Sequence, residues 1–326
     1  MVEGGLFVTL GDKESLKMYL EHGIFSQRMP PEDGQSRPHY THYRALADYS
    51  CAREGNHVFF FREREIFYGG QIVGSDEHGA FYLNGKRSPL GREAYAPLVW
   101  DESERDQYEM VERGLFELDG DDSDEERYCH PYMLRFEDNR NLRGTYITSD
   151  QLYFELGEYP YPLPSNTISG MGFCTITPGE TEILLRFLED EPAGTIESVS
   201  QVSIQLEGEP IPFTPDLGAQ SPEDANPESH LEAAVTGNPS LLPEELQPDS
   251  SAICRQVPIS PFKPKNMDEA DVCYFTEDPI NDGTIPNTVI ELKNTRAGKA
   301  AATQVVRYLR WLHKRLGETA EEIDIF

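Results

Sequence analysis

The sequence predicts an α/β C-terminal domain in the order α-β-β-β-α-β, preceded by an α+β N-terminal domain. Three observations predict it. The 326 residues suffice for two cores. From about 208 to 227 the chain is Pro-rich, acidic and free of hydrophobic periodicity, as an interdomain linker would be. After it, β-branched runs at 271–276 and 288–293 precede an amphipathic run at 298–316. The domains are drawn at 1–195 and 227–326, with a linker at 196–226.

In the first block, strand-like runs fall at 5–10, 57–61, 66–73, 80–83 and 169–176. Helical periodicity marks 13–22 and 180–189, the second preceded by Pro178-Gly179 with Thr181 as its cap. Residues 23–27 read as a turn carrying an exposed aromatic, and Gly69-Gly70 as a bulge or close backbone approach. The charge run at 119–126 reads as a solvated loop. In the last block, 228–235 is a short amphipathic helix ended by Asn238-Pro239, and 252–259 is extended. A hairpin centred near Asn281–Asp282 would then set position 271 opposite 291–293. The helix at 298–316 has apolar residues at 305, 308, 309, 312 and 316, and the closing Ile-Asp-Ile-Phe reads as the start of a strand.

The longest apolar clusters, 58–61 and 183–188, are core-sized, so no membrane partner is expected. The first residues lack the charged and apolar regions of a signal peptide, which predicts a cytoplasmic chain. Five scattered cysteines with no Cys-x-x-Cys pair argue against a disulfide framework and a zinc ribbon. A net charge of −30 opposes nucleic-acid binding at ordinary salt. Yet 20 of the 28 basic residues are Arg and 8 are Lys, against 58 acids. Such acid-rich, lysine-poor chains resemble proteins of salt-accumulating archaea, where the Debye length falls to roughly 3 Å near 1 M salt. The charge is also uneven. From 255 to 315 there are ten Lys and Arg against seven Asp and Glu, whereas 101–126 holds thirteen acids and two arginines.

That basic enclave contains the chemistry. On a strand, Glu291 and Lys293 point to one face, and Asp271, opening the neighbouring strand, sets a second carboxylate beside them. Carboxylates gathered in this way call for a hard cation, Mg²⁺ or Mn²⁺. Asp271 and Glu291 are the expected ligands, with the carbonyl of Leu292 as a third. Lys293 would orient the attacking water and offset charge on the pentavalent transition state. Glu228 would complete the sphere, with Glu232 one turn later competing for the role.

Glu228-x-x-Leu-Glu, Asn238-Pro-x-Leu-Leu, Asp271-Val-Cys-Tyr-Phe, Val289-Ile-Glu-Leu-Lys and Gln304-Val-Val-Arg-Tyr-Leu resemble the restriction-endonuclease-like PD-(D/E)XK superfamily. Within it they are most similar to archaeal branched-DNA and mismatch endonucleases. The resemblance covers about 227–326. It implies an Mg²⁺- or Mn²⁺-dependent DNA endonuclease, with Gln304 and Tyr308 beside the site contacting phosphate or water. The long gap between Asp271 and Glu291 departs from the pattern and makes Asp268 the fallback ligand. Many relatives work as dimers, which leaves a homodimer open here.

The N-terminal order, with the strand pair ending Gly69-Gly-Gln-Ile-Val-Gly-Ser, resembles PUA-like barrels of the EVE and YTH type. These read a flipped or modified base in an aromatic cage. Carried over by position, the cage falls on Phe25, Ser26 and Tyr82, although Phe replaces the usual Trp at 25. Near-balanced charge over 27–92, nine basic residues against eight acidic, favours a nucleic-acid face there. Arg62 and Arg64 read equally as outward strand residues in ion pairs. The pairing implies a modification-guided restriction nuclease, with a repair nuclease or a non-catalytic binding protein as alternatives.

Overall fold

Alternating and helical apolar patterns both bury one face, and the chain satisfies them with two sheets whose edges meet. The computed structural model describes residues 3–29, 47–73, 80–82, 129–156, 173–196, 228–237, 239–247, 250–259, 269–278, 280, 283–293, 298–316 and 324–325. The expected linker after Ile196, the acidic run at 119–126, Trp100, Asp268 and the hairpin centre at 281–282 lie outside the described residues.

The first sheet contains β1 (Gly5–Thr9), β2 (Ile24–Met29), β3 (His57–Arg62), β4 (Glu65–Ile72), β5 (Ala80–Tyr82), β6 (Cys129–Glu137), β7 (Thr145–Thr148), β8 (Phe173–Ile176) and β9 (Gly194–Thr195). Its main path runs β2-β6-β4-β3-β1-β8, with β5 on β6 and with β7 joining β4 to β9. β1 and β3 are parallel. The expected bulge at the glycine pair is present: Val58 faces Gly70 and Phe59 faces Tyr68, leaving Gly69 over.

Helix α1 (Lys13–His22) starts where the Asp12 carboxylate accepts from the Ser15 N–H, and Gly23 ends it in the left-handed conformation. Helix α2 (Ser149–Leu156) follows β7. Helix α3 (Pro178–Asp190) is capped by Thr177 in a capping box with Glu180, not by Thr181. Thr181 lies one turn inside, its hydroxyl donating to the Thr177 carbonyl at 2.9 Å. The apolar stripe of α3 supplies Leu184, Leu185 and Leu188 to a core with Phe7, Phe59, Tyr68 and Ile147.

Residues 23–27 depart from the expected turn. Once Gly23 has reversed the chain, Ile24 and Phe25 enter β2 and pair with Arg135 and Leu134 of β6. β6, β7 and α2 carry no pattern that marked them in the sequence. Arg64 is not an outward strand residue either: it occupies the β3–β4 turn with Glu63, both at positive φ, and pairs with Asp150.

The second sheet contains β10 (Ser250–Pro258), β11 (Glu269–Thr276), β12 (Thr288–Ile290) and β13 (Asp324–Ile325), in that spatial order. Helix α4 (Glu228–Gly237) precedes it and α5 (Lys299–Leu316) joins β12 to β13, which run parallel. The order along this segment is helix, strand, strand, strand, helix, strand. Tyr308 and Leu312 of α5 pack with Cys273, Phe275 and Val289. Val235 of α4 packs with Val272, Tyr274 and Ile290. Strand alternation thus divides β11 between two helices.

The two sheets are in direct contact. The Thr175 hydroxyl of β8 donates to the Arg255 carbonyl of β10, and the Arg255 N–H returns a bond to that hydroxyl at 3.0 Å. Cys51, from the N-terminal half, lies inside the apolar cluster under α4.

Candidate active site

Asp271, Glu291 and Lys293 come together at one end of the second sheet. The register Val272↔Ile290, continued by one residue, sets Asp271 across from Glu291, as expected from the hairpin. One premise fails. β12 stops at Ile290, so Glu291, Leu292 and Lys293 are not on a strand. The reason is chemical: the Asp271 carboxylate takes the Leu292 N–H at 2.7 Å in place of a backbone carbonyl. This frees the chain to turn while both flanking side chains remain at the site.

Lys293 is the hub. Its ammonium lies 2.6 Å from Glu291 Oε1, 3.6 Å from Glu228 Oε1 and 3.8 Å from Asp271 Oδ2. It also donates to the Leu292 carbonyl at 2.9 Å. Burial opposes its charge, but contact with Glu291 and the fields of Asp271 and Glu228 raise it above the ordinary lysine value. Glu291 Oε1 is buried, with the Lys293 ammonium at ion-pair distance. Asp271 is under greater strain. Burial, then the Glu291 charge, pushes its carboxyl up to about 7, against the Leu292 N–H and Lys293.

The helix carboxylates divide the work. Glu228, half-exposed, faces Lys293. Glu232 is committed elsewhere: Arg255 Nε meets its Oε2 at 2.8 Å, while Arg255 Nη1 reaches Asp48 Oδ1 at 2.7 Å. All three of these side chains are buried. Gln256 then bridges, its Nε2 3.3 Å from Glu232 and 3.4 Å from Asp271 Oδ1. It does so from a left-handed backbone, φ 52, uncommon for a residue with a Cβ.

Tyr308, expected to touch phosphate or water, is instead fully buried in the α5 core. Its hydroxyl lies 2.6 Å from the Glu269 carbonyl and 3.1 Å from Glu291 Oε2, so it positions Glu291 from behind. Burial raises its pKa well above that of a free tyrosine. Gln304 donates its amide to this same hydroxyl, one turn away on α5, and is thus engaged inside the cluster.

Sequence reasoning missed Arg255, Gln256 and Asp48. A lone arginine in the apolar run Ala252-Ile-Cys-Arg was a readable signal, because an unpaired buried guanidinium is untenable. Asp48 lies 207 residues away and carried none.

The N-terminal cage assignment does not survive for Phe25. It is buried, stacked on Phe173 at 5.4 Å and edge-on to Tyr19 and Phe60. The alternation that makes residues 24–29 a strand turns this ring into the core. Ser26 pairs with Met133 and Tyr82 with Tyr132 through their backbones, while their side chains lie outside the described set.

The carboxylates are not preformed as a metal cage: among the described residues no group of three or more His, Cys, Asp and Glu is so arranged. Lys293 stands between them. The donor set nonetheless suits a hard cation, being all oxygen, with a buried Glu291 oxygen and an Asp271 carboxylate destabilised by burial and then by its neighbour. Among the described residues, no helix is long and apolar enough to cross a membrane. No family model, curated protein or solved structure matches the chain.

Proposed function

We propose that the chain is an Mg²⁺- or Mn²⁺-dependent endonuclease acting on DNA phosphodiesters. One observation carries the reading: two buried carboxylates, Asp271 and Glu291, share one lysine ammonium with a helix carboxylate, Glu228. An ordinary surface Glu-x-Lys pair would not place a carboxyl near pH 7 beside a second acid. Asp271, Glu291 and the Leu292 carbonyl would hold the cation, with Glu228 at its side. When bound, a divalent cation supplies charge neutralisation and lowers the pKa of water.

The chain's own groups do the rest. Lys293 exchanges its carboxylate contacts for the attacking water and a phosphate oxygen, where its charge offsets that developing on phosphorus. The water oxygen bonds to phosphorus as the bond to the departing sugar oxygen breaks; of the water's two protons, one ends on that sugar oxygen and the other on the new phosphomonoester or in solvent. Tyr308 and Gln256 hold Glu291 and Asp271 in place throughout. Recognition of a modified or flipped base by the N-terminal half remains part of the proposal, resting on element order and on Ser26 and Tyr82, no longer on Phe25. Two-strand cleavage would need a homodimer.

The test is cleavage of plain and base-modified plasmid at about 2 M KCl, in the screened regime where surface carboxylates scarcely repel DNA. Arms with Mg²⁺, Mn²⁺ and EDTA would compare the natural chain with Glu291→Gln and Lys293→Ala. Metal-dependent cleavage lost in both variants is expected. A folded chain that cuts nothing would leave the non-catalytic binding protein as the reading.

A further inference from the structure

A cavity of ligand size is lined by residues outside the carboxylate cluster. It measures about 300 Å³ and opens between α1, the β3–β4 hairpin and the strands β7 and β9. Its lining gathers Lys13 and Lys17 of α1 and Arg62 of β3, against one acid, Glu65. In a chain of net charge −30 with 8 lysines, two lysines and an arginine on one wall are a local reversal of sign.

Among the described residues these cations are not used up. Lys13 and Lys17 are one helical turn apart on one face, where like charges repel, and neither pairs with a carboxylate among the described residues. Arg62 Nε is buried without a hydrogen-bond partner among those residues. The guanidinium pairs with Glu63, whose side chain is 69% exposed and can swing into water. An anion would relieve all three groups at once.

The lining is also aromatic. Tyr146 lies 5.0 Å from Phe67, centroid to centroid, and is half-buried. Gly194 packs against it so closely that a Cβ there would come within 2.5 Å of the ring. The ring is therefore fixed by its neighbours and contributes to the lining, as does the polar Thr195. The volume is at the small end of ligand pockets, roughly 300–1,000 Å³, too small for a duplex but suited to a single nucleotide.

We propose that this cavity binds one nucleotide, its phosphate held by Lys13, Lys17 and Arg62 and its base set against Tyr146. The nucleotide is either free or the 5′-phosphorylated end of a strand. The inference is independent of the nuclease reading, since none of these residues belongs to the carboxylate cluster.

The test is titration calorimetry on the full chain in EDTA, with AMP, UMP, adenosine, inorganic phosphate and a 5′-phosphorylated oligothymidylate as probes. Saturable binding of a nucleotide or the oligonucleotide is expected, tighter than adenosine or phosphate alone. Lys13→Gln with Lys17→Gln should weaken it at least about tenfold, as loss of charge-assisted bonds would. Tyr146→Leu should weaken nucleotide binding without changing that of phosphate. Binding of mononucleotides assigns a free ligand; binding of the oligonucleotide alone assigns a strand end. No saturable binding, unchanged affinity in the double lysine variant, or phosphate binding as tightly as AMP would each overturn the proposal. EDTA keeps metal-dependent chemistry silent, so failure here and failure of the nuclease reading are separate results.

Discussion

Replacing Arg255 by Met tests whether the two halves are joined by buried charge. The guanidinium is 2% exposed, and its partners Glu232 and Asp48 are 4% and 9% exposed. Three of its nitrogens bond to them, including Nε to Glu232 at 2.8 Å and Nη1 to Asp48 at 2.7 Å. Three charge-assisted bonds would suggest roughly 4–9 kcal/mol if simply added. Two effects reduce this: the guanidinium's own desolvation cost disappears, and a stranded carboxylate can take up a proton. The expected loss is therefore about 3–5 kcal/mol, the range for breaking a buried pair. Because proton uptake relieves the stranded acids, the loss should be larger at pH 8 than at pH 5. Urea denaturation at fixed salt measures it. Adding Glu232→Gln and Asp48→Asn should restore much of the stability, since no buried charge is then unpaired. Arg140→Met, which breaks a pair 35% and 45% exposed, should cost no more than about 1 kcal/mol. A loss below about 1 kcal/mol for Arg255→Met, or a triple variant as weak as the single one, would refute the buried triad.

Two other outcomes follow from the same structure. Asp271 is held near 7 when folded against a carboxylate value of 3.8, so the folded chain carries an extra proton between those limits. Metal-free stability should thus fall as pH rises from about 4 to 7, by roughly 4 kcal/mol, and Asp271→Asn should flatten that dependence. Melting curves in EDTA across this range check it. Phe25→Ala should cost about 3–5 kcal/mol in urea denaturation, as a core truncation does, where a cage residue would change binding instead.

What could be read from the sequence was whatever local pattern encodes. The runs at 57–61, 66–73, 252–259 and 271–276 alternate or cluster as strands, and α1 and α5 carry helical periods, so their positions follow from residue type. Asp271, Glu291 and Lys293 could be brought together on paper because a hairpin register is arithmetic. The path of Glu291–Lys293 could not, since β12 ends where a side chain takes over a backbone partner. Phe25 was misplaced because a turn and a short strand after Gly23 look alike locally, and only β6, over a hundred residues later, selects the strand. Spacing set Tyr308 on the apolar stripe of α5, whereas the resemblance implied contact with phosphate or water; its full burial depends on β11 and β12 packing under α5. The Arg255 triad joins three segments far apart in the chain and leaves no periodic trace.

If Asp271, Glu291 and Lys293 form a divalent-cation site, Mn²⁺ titration followed by electron paramagnetic resonance will report it. At pH 8, where Asp271 is ionised, the natural chain should take up Mn²⁺ saturably. Asp271→Asn and Glu291→Gln should each abolish uptake while the far-ultraviolet circular dichroism spectrum is unchanged. Absence of saturable Mn²⁺ binding by the folded natural chain, or binding unaffected by both substitutions, would contradict the account.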